Sequence, residues 1–343
     1  MTDCRIIVAG ASAGGIPSLK ALLGVLPADL NAAVFVVQHL SPDYRSTLAH
    51  VLGRSTAFRV RQPDDGERIE PRTVYVAAPD HHLLIEHDRV LVKRGPKENR
   101  FRPSIDALFR SAAYSHGSRV IGIVLSGALD DGTSGLWTVK RLGGTTIVQA
   151  PDEAEFDSMP LSALEQVEVD HCMTIREMGP LLRSLDEHRI EQPASEVAED
   201  RDRVGLEVSI AGDADAFKKG IMDAGELTPL TCPECHGVLV EIDEDDIIRY
   251  RCHTGHAYSR AALLSETLQK IEQTYWIAMR SLEEASMLMD HTADSLARQG
   301  QAGQAKRFRE EADAAEAESR GLRENLLRRR QFTGRNLFGT DAA

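Results

Sequence analysis

Residues 5–15 read RIIVAGASAGG. An apolar β-branched run with no polar alternation is a strand covered on both faces, and the glycine-rich turn that follows feeds the helical pattern of residues 16–26. A strand, a tight turn and a helix in that order commit the chain to an α/β architecture. The turn itself has two readings. Gly10, Ser12 and Gly14 fit G-x-S-x-G, which raises a serine on a sharp turn. The same stretch is one substitution from the dinucleotide fingerprint G-x-G-x-x-G, with Ser12 at the middle glycine.

The rest of the first ~185 residues repeats the strand–helix rhythm. RIIVAG (5–10), AVFVVQH (33–39), TVYVAAP (73–79), RVLVKR (89–94), VIGIVLSG (120–127) and TTIVQA (145–150) read as strands, with helical patterns at 16–26, 43–53, 104–116 and 133–142. This predicts a doubly wound, mostly parallel sheet, with an antiparallel hairpin added between Tyr75 and Lys93.

The two readings of the turn demand different residues elsewhere. A dinucleotide site needs an acid at the end of the second strand to hold a ribose hydroxyl. That strand ends FVVQHL, which puts His39 there instead. A hydrolase needs a base and a group to orient it. Ser12 follows the first strand, His39 ends the second, and Asp131 lies just beyond VIGIVLSG. In a parallel sheet those carboxyl ends share one edge, where ligands bind. The expectation is a triad: Ser12 as nucleophile, His39 as base, Asp131 as orienting acid, and the Ala13 N–H as oxyanion donor. Taken singly, a serine in such a turn is more often a helix N-cap, and Asp130–Asp131 before Gly132 could be turn residues. Their joint placement favours the triad.

Of 343 residues, 42% are hydrophobic and 27% charged, with a formal charge of −13. That charge argues against nucleic-acid binding. No signal segment or membrane-length apolar window is read, so neither membrane insertion nor secretion is expected, and the cytoplasm is the default. Length allows several domains, which we set at 1–186 (catalytic), 187–228 (acidic, partly ordered linker), 229–259 (small β module) and 260–335 (helical hairpin). Within the linker, VGLEVSIAG (204–212) could add a short strand or dock locally.

Cys4 and Cys172 are isolated and read as apolar fillers. Cys232-Pro-Glu-Cys235 and Cys252-His253-Thr254-Gly255-His256 instead give C-x2-C-x16-C-x3-H around a hairpin with an acidic turn. That is a zinc-ribbon-like pattern with a closed, structural Zn²⁺ site on Cys232, Cys235, Cys252 and His256, His253 being the alternative fourth ligand. No cofactor is expected for catalysis. Beyond it, Leu264, Leu268, Ile271, Tyr275, Ala278, Leu282, Ala285, Met289 and Leu296 form a three-four repeat. QGQAGQ (299–304) interrupts it, and Phe308, Ala312, Ala315, Leu322 and Leu326 resume it. Two long helices would bury these seams on each other or on a partner. Arg328-Arg329-Arg330 suits a negative helix C-terminus.

Residues 4–185 resemble the CheB-type chemoreceptor protein-glutamate methylesterases, through IVAGASAGG, VVQHLSPDY, DGERIEPRTVYVAAPDHHL, FRPSIDALFRSAA, IVLSGALDDGTSGL and TIVQAPDEAEFDSMP. The resemblance implies a Ser–His–Asp enzyme that hydrolyses glutamyl methyl esters on receptor helices, releasing methanol, some members also deamidating glutamines. Ser12, His39 and Asp131 match its nucleophile, base and acid. The family's T-G-M-G-x-D-G segment reads Ser126-Gly127-Ala128-Leu129-Asp130-Asp131-Gly132 here, which leaves a second backbone donor at Ala128 and makes Asp130 a neighbouring competitor for the acid role. Such enzymes carry a phospho-accepting receiver domain in front of the catalytic one. With a catalytic strand starting at residue 5, none is expected in this chain. The implied partners are a methylated chemoreceptor or related signalling protein, with a methyltransferase or a second copy as candidates for the helices. The alternative reading is a weakly catalytic signalling scaffold.

Overall fold

Two-sided apolar strands need cover on both faces, and they receive it. The computed structural model describes residues 4–42, 46–187, 198–213, 215–244 and 247–328. From β1 (Arg5–Ala11) the chain runs through α1 (Gly15–Val25), β2 (Ala32–Gln38), α2 (Leu48–Leu52), β3 (Arg59–Arg61) and β4 (Thr73–Val76). β5 (His82–Glu86) and β6 (Arg89–Lys93) follow as a hairpin. Then come α3 (Ile105–His116), β7 (Val120–Val124), α4 (Thr133–Arg141), β8 (Thr145–Gln149), α5 (Ser158–Gln166), β9 (His171–Met173) and α6 (Ile175–Glu187).

Seven strands form one parallel sheet in the order β3-β4-β2-β1-β7-β8-β9. Successive side chains of a strand point to opposite faces. Accordingly Ile6, Val8, Phe35 and Val37 join one apolar cluster, with Leu108 and Phe109 of α3, and Ile7, Ala9, Val34 and Val36 join the other, with Leu19, Leu22 and Leu23 of α1. The chain leaves β1 toward β2 and later returns to its other edge as β7, so the topological switch lies at β1. In open α/β sheets ligands bind outside the carboxyl ends of the strands at such a switch.

The added hairpin differs from expectation. Thr73–Val76 stays in the parallel sheet, and the hairpin pairs His82–Glu86 with Arg89–Lys93 as a separate two-stranded sheet. It is held to α3, where Ser111 Oγ accepts from Ile85 N at 3.0 Å and Ser115 Oγ donates to Ile85 O at 2.9 Å.

The stretch read as an acidic linker is also different where it is described. Residues 188–197 lie outside the described residues, but α7 (Ala198–Gly212) is a helix, so of the two expectations for VGLEVSIAG the local docking holds and the strand does not. Val204, Glu207, Ile210 and Ala211 are buried. After it, β10 (Glu226–Thr231), β11 (Val238–Glu244), β12 (Ile247–Cys252) and β13 (Ala257–Ser259) form a four-stranded antiparallel sheet. Its β11–β12 pair is the expected hairpin, with the turn at 245–246 outside the described residues.

Val204 joins the α3 side of the large core, Ile210 packs on Val240 and Ile242 of β11, and a buried ion network runs between them. Glu98 pairs with Arg110 of α3 and, at 2.8 Å, with Arg251 of β12. Glu207 of α7 pairs with Arg249 at 2.5 Å and with Arg251 at 2.9 Å. None of these five side chains is more than 5% exposed. Three stretches far apart in sequence thus share one set of charges, and Met1–Leu263 forms one compact unit. The boundaries drawn at 186 and 229 divide the sequence, not the packing.

The second unit, Leu264–Ala343, holds most of α8 (Arg260–Arg298) and all of α9 (Ala302–Arg328), broken at 299–301 as the Gly/Gln stretch requires. Met279, Ala293, Ala305, Ala312, Ser319 and Leu326 are buried between them, and Glu283 accepts from Ser319 Oγ at 3.2 Å and Arg323 at 2.9 Å. Trp276, Ile277, Met287 and Leu288 face outward. Arg329 and Arg330 lie outside the described residues. No helix among the described residues is long and apolar enough to cross a membrane.

Candidate active site

Ser12 stands one residue past β1, where Ser12 N donates to Ser126 O and Gly15 N to Ser12 O, both at 3.0 Å. The glycines around it answer to packing. A Cβ on Gly10 would lie 2.2 Å from Ile105 Cγ2, and one on Gly15 would lie 2.4 Å from Gln38 Oε1. Gly14 is left-handed at φ 67, a conformation glycine adopts without strain. The glycines therefore bring helix, strand and neighbouring side chains close beneath the serine.

The sheet register sets the base beside it. Ala11 pairs with Gln38, so the next residues, Ser12 and His39, leave adjacent strands side by side. His39 N donates to Ala11 O at 3.2 Å, and Gln38 Nε2 to Ser12 O at 2.7 Å. His39 Nδ1 lies 2.9 Å from Ser12 Oγ, and its Nε2 lies 2.7 Å from Asp131 Oδ2. A carboxylate only accepts, so Nε2 carries the proton and Nδ1 is free to accept the serine hydroxyl. The ring nitrogens are used in the opposite sense to the usual template, in which Nε2 faces serine. Phe101 stacks on the ring with centroids 3.6 Å apart and planes nearly parallel, and the His39 side chain is 5% exposed.

Asp131 is held from several sides. Its Oδ1 accepts from Asn99 Nδ2 and Ser104 Oγ, both at 2.9 Å, and its Oδ2 from Ile105 N at 2.8 Å. Burial alone would raise its pKa. The hydrogen bond and charge of His39, with the Asn99 and Ile105 donors, outweigh that and hold it below the usual carboxylate value. Ile105 opens α3, so Asp131 satisfies an orphan N–H at that helix's positive end. Asp106 returns the arrangement: its Oδ1 accepts from Gly132 N at 3.0 Å and Gly135 N at 2.6 Å at the start of α4. Burial, then the charge of Asp131, push Asp106 up to about 8.

Asp130 turns away from the ring. It is buried, its Oδ1 accepts the Ser259 hydroxyl at 2.8 Å, and burial pushes it up to about 6. Of the two adjacent acids, geometry gives the imidazole to Asp131. The Ala13 and Ala128 N–H groups find no acceptor among the described residues. They are available to a developing oxyanion. Sequence reasoning missed Asn99, Phe101, Ser104 and Asp106, although all four lie in or beside the FRPSIDALF stretch.

In the four-stranded sheet, donor atoms of Cys232, Cys235, Cys252 and His256 lie within 4.8 Å of one another. Cys235 and Cys252 sulfurs are 3.6 Å apart, and His256 Nδ1 is 3.6 Å from both Cys232 and Cys252. A tetrahedral Zn²⁺ with bonds of about 2.3 Å to sulfur needs ligand separations of about 3.8 Å, so this donor set fits. His256 Nε2 points to Glu234 at 3.6 Å, the outer partner such a histidine ligand commonly has. His253 is exposed and packs against Gly237, outside the cluster.

A family model described as CheB methylesterase matches residues 7–182, just over half of the chain. A Leptospira interrogans protein, provisionally named protein-glutamate methylesterase/protein-glutamine glutaminase, is 36% identical over 187 residues, covering 54% of this chain and 97% of that one. Protein-glutamate methylesterase/protein-glutamine glutaminase 2 of Methanosarcina acetivorans is 39% identical over 164 residues, 46% of each protein, so this chain spans about half of that longer relative. Among solved structures, the Thermotoga maritima CheB methylesterase catalytic domain superposes with a TM-score of 0.51 at 32% identity, covering 53% of this chain and 98% of that one. The family match ends before α7 and the Cys/His sheet.

Proposed function

This chain belongs to the CheB methylesterase family, and from that premise we propose that it hydrolyses glutamyl methyl esters on a methylated chemoreceptor, and deamidates glutamine at the same site. The observation that carries the reading is the relay from Ser12 Oγ through His39 to Asp131, at 2.9 and 2.7 Å. In this reading His39 Nδ1 takes the Ser12 proton as Oγ attacks the ester carbonyl. Asp131, kept ionised by its donors, stabilises the imidazolium through Nε2–H. The Ala13 and Ala128 N–H groups receive the oxyanion, each worth about 3 kcal/mol in the transition state. Collapse returns the proton to the departing methanol and leaves Ser12 acylated. Water activated by His39 then releases glutamate and free Ser12.

Cys232, Cys235, Cys252 and His256 would hold a structural Zn²⁺. With four protein ligands such a site is closed to substrate and supplies folding energy in place of chemistry.

Methanol release from methylated receptor membranes tests the activity. Ser12→Ala should lower it by at least about a thousandfold, as loss of a triad nucleophile does. Equal release by Ser12→Ala and wild type, or none by either across methylated receptors, would reject the esterase reading.

A further inference from the structure

Residues 97–101 lie between the triad and the Cys/His sheet. On one side Asn99 Nδ2 donates to Asp131, and Phe101 stacks on His39. On the other, Glu98 forms a parallel bridge with Ala257, Asn99 N donates to Ala257 O at 2.8 Å, and Ala257 N to Lys97 O at 3.2 Å. Lys97 Nζ reaches Glu234, between Cys232 and Cys235, at 2.9 Å.

Ser259, at the end of β13, makes the closest link. Its N–H donates to Asn99 Oδ1 at 2.8 Å, its hydroxyl donates to Asp130 Oδ1 at 2.8 Å, and that hydroxyl accepts from Ala262 N at 3.0 Å as α8 begins. One residue thus holds two neighbours of the triad acid: Asn99, one of the donors to its carboxylate, and Asp130, preceding it in the chain. The Asn99 amide can face only one way. Its oxygen takes the Ser259 N–H, while its nitrogen forks to Asp106 Oδ2 at 2.7 Å and Asp131 Oδ1 at 2.9 Å. The buried Asp130 carboxyl has no other side-chain donor among the described residues, so losing the hydroxyl forces the backbone next to Asp131 to readjust.

We infer that Ser259 is a positioning residue for the triad, and that the Cys/His sheet is through it a working part of the active site. The inference rests on the esterase reading above. Ser259 touches no reacting atom. It acts by fixing Asp131, which fixes the His39 ring, so its loss slows proton transfer and leaves substrate binding alone.

The test uses the full chain and two readouts. In Ser259→Ala, kcat for methanol release should fall about ten- to hundredfold, the effect of displacing a catalytic group by around 1 Å, with KM within twofold of wild type. The low-field proton resonance of His39 Nε2–H against Asp131 should shift in the same variant. Ser259→Thr keeps the hydroxyl and should restore both. A residue that only caps α8 would lower the melting temperature and leave kcat and the resonance unchanged, and that result overturns the inference. The resonance reads the positioning role even where no ester is turned over, which separates this test from the fate of the esterase reading. Should Ser259→Ala not fold, Ser259→Cys keeps the shape with a weaker donor. It should give an intermediate kcat and shift, and wild-type values for both would equally overturn the role.

Discussion

The two larger sheets of the first unit differ in how much apolar core stands behind them. The seven-stranded sheet buries Phe35, Tyr75, Phe109 and several dozen aliphatic groups in two large clusters. The four-stranded sheet has two small clusters: Cys232, Leu239, Tyr250, Cys252, Tyr258, Ala262 and Leu263, two of them candidate metal ligands, on one side, and Val240 and Ile242 against Ile210 of α7 on the other, where the buried Arg249 and Arg251 also pair with Glu207 and Glu98. Apolar burial is non-directional, so the large sheet tolerates local change. A buried ion pair that loses one partner leaves a charge uncompensated, so the small sheet, with fewer apolar groups behind it, is more sensitive to the loss of a few atoms. Asn99 and Asp130, on either side of Asp131, are bonded to the sheet with the smaller core.

The sharpest way to break this comparison is to remove the candidate metal ligands. Cys232→Ser combined with Cys235→Ser should abolish zinc binding, measured by elemental analysis, and remove on the order of 10 kcal/mol of metal-linked folding energy from the small sheet. Hydrogen exchange should then speed up across 226–259 and remain slow in β1, β2 and β7. Unchanged protection in 226–259 would mean that the small sheet stands on its apolar core. Next in size, Glu207→Ala leaves Arg249 and Arg251 buried with fewer partners, and urea unfolding should report a loss of about 3–5 kcal/mol. A loss under 1 kcal/mol would reduce the network to surface-like pairs.

The smallest effect is a pH dependence. Asp130 stands at about 6 in the folded protein against an ordinary 3.8. Between those values the folded state keeps a proton that the unfolded chain releases. Its contribution to stability is complete below about pH 4 and is lost as pH rises through 6. Asp130→Asn removes that dependence. Its stability relative to wild type should rise between pH 4 and pH 7 by up to roughly 3 kcal/mol. A flat difference across that range would show that burial does not strain the Asp130 carboxylate.

Much of the catalytic edge is legible in the sequence because a parallel sheet turns strand order into proximity. Once RIIVAGA and AAVFVVQ are adjacent strands, Ser12 and His39 must emerge together, and VIGIV on the other edge delivers Asp131. Asn99 and Ser259 are not legible in this way. Each lies outside the large sheet, and their meeting depends on a bridge between residues 98 and 257 that no local pattern announces. The helix α7 escaped notice for a related reason. An acidic run reads as a solvated surface, and Glu207 is buried only because Arg110, Arg249 and Arg251 converge on it from distant parts of the chain. Of the two adjacent acids, sequence reasoning favours Asp131, and it is the Asp131 carboxyl that reaches the His39 ring while that of Asp130 reaches Ser259.

The bond between Asp130 and Ser259 spans 129 residues of chain. At a synthesis rate of about 5–20 residues per second, roughly ten seconds separate the appearance of its two ends. Every strand of the large sheet, with Ser12, His39 and Asp131 at its edge, has been made before β13 exists. A nascent chain therefore holds Ser12, His39 and Asp131 well before the Ser259 hydroxyl that bonds Asp130, and a chain truncated ahead of Ser259 never acquires that bond.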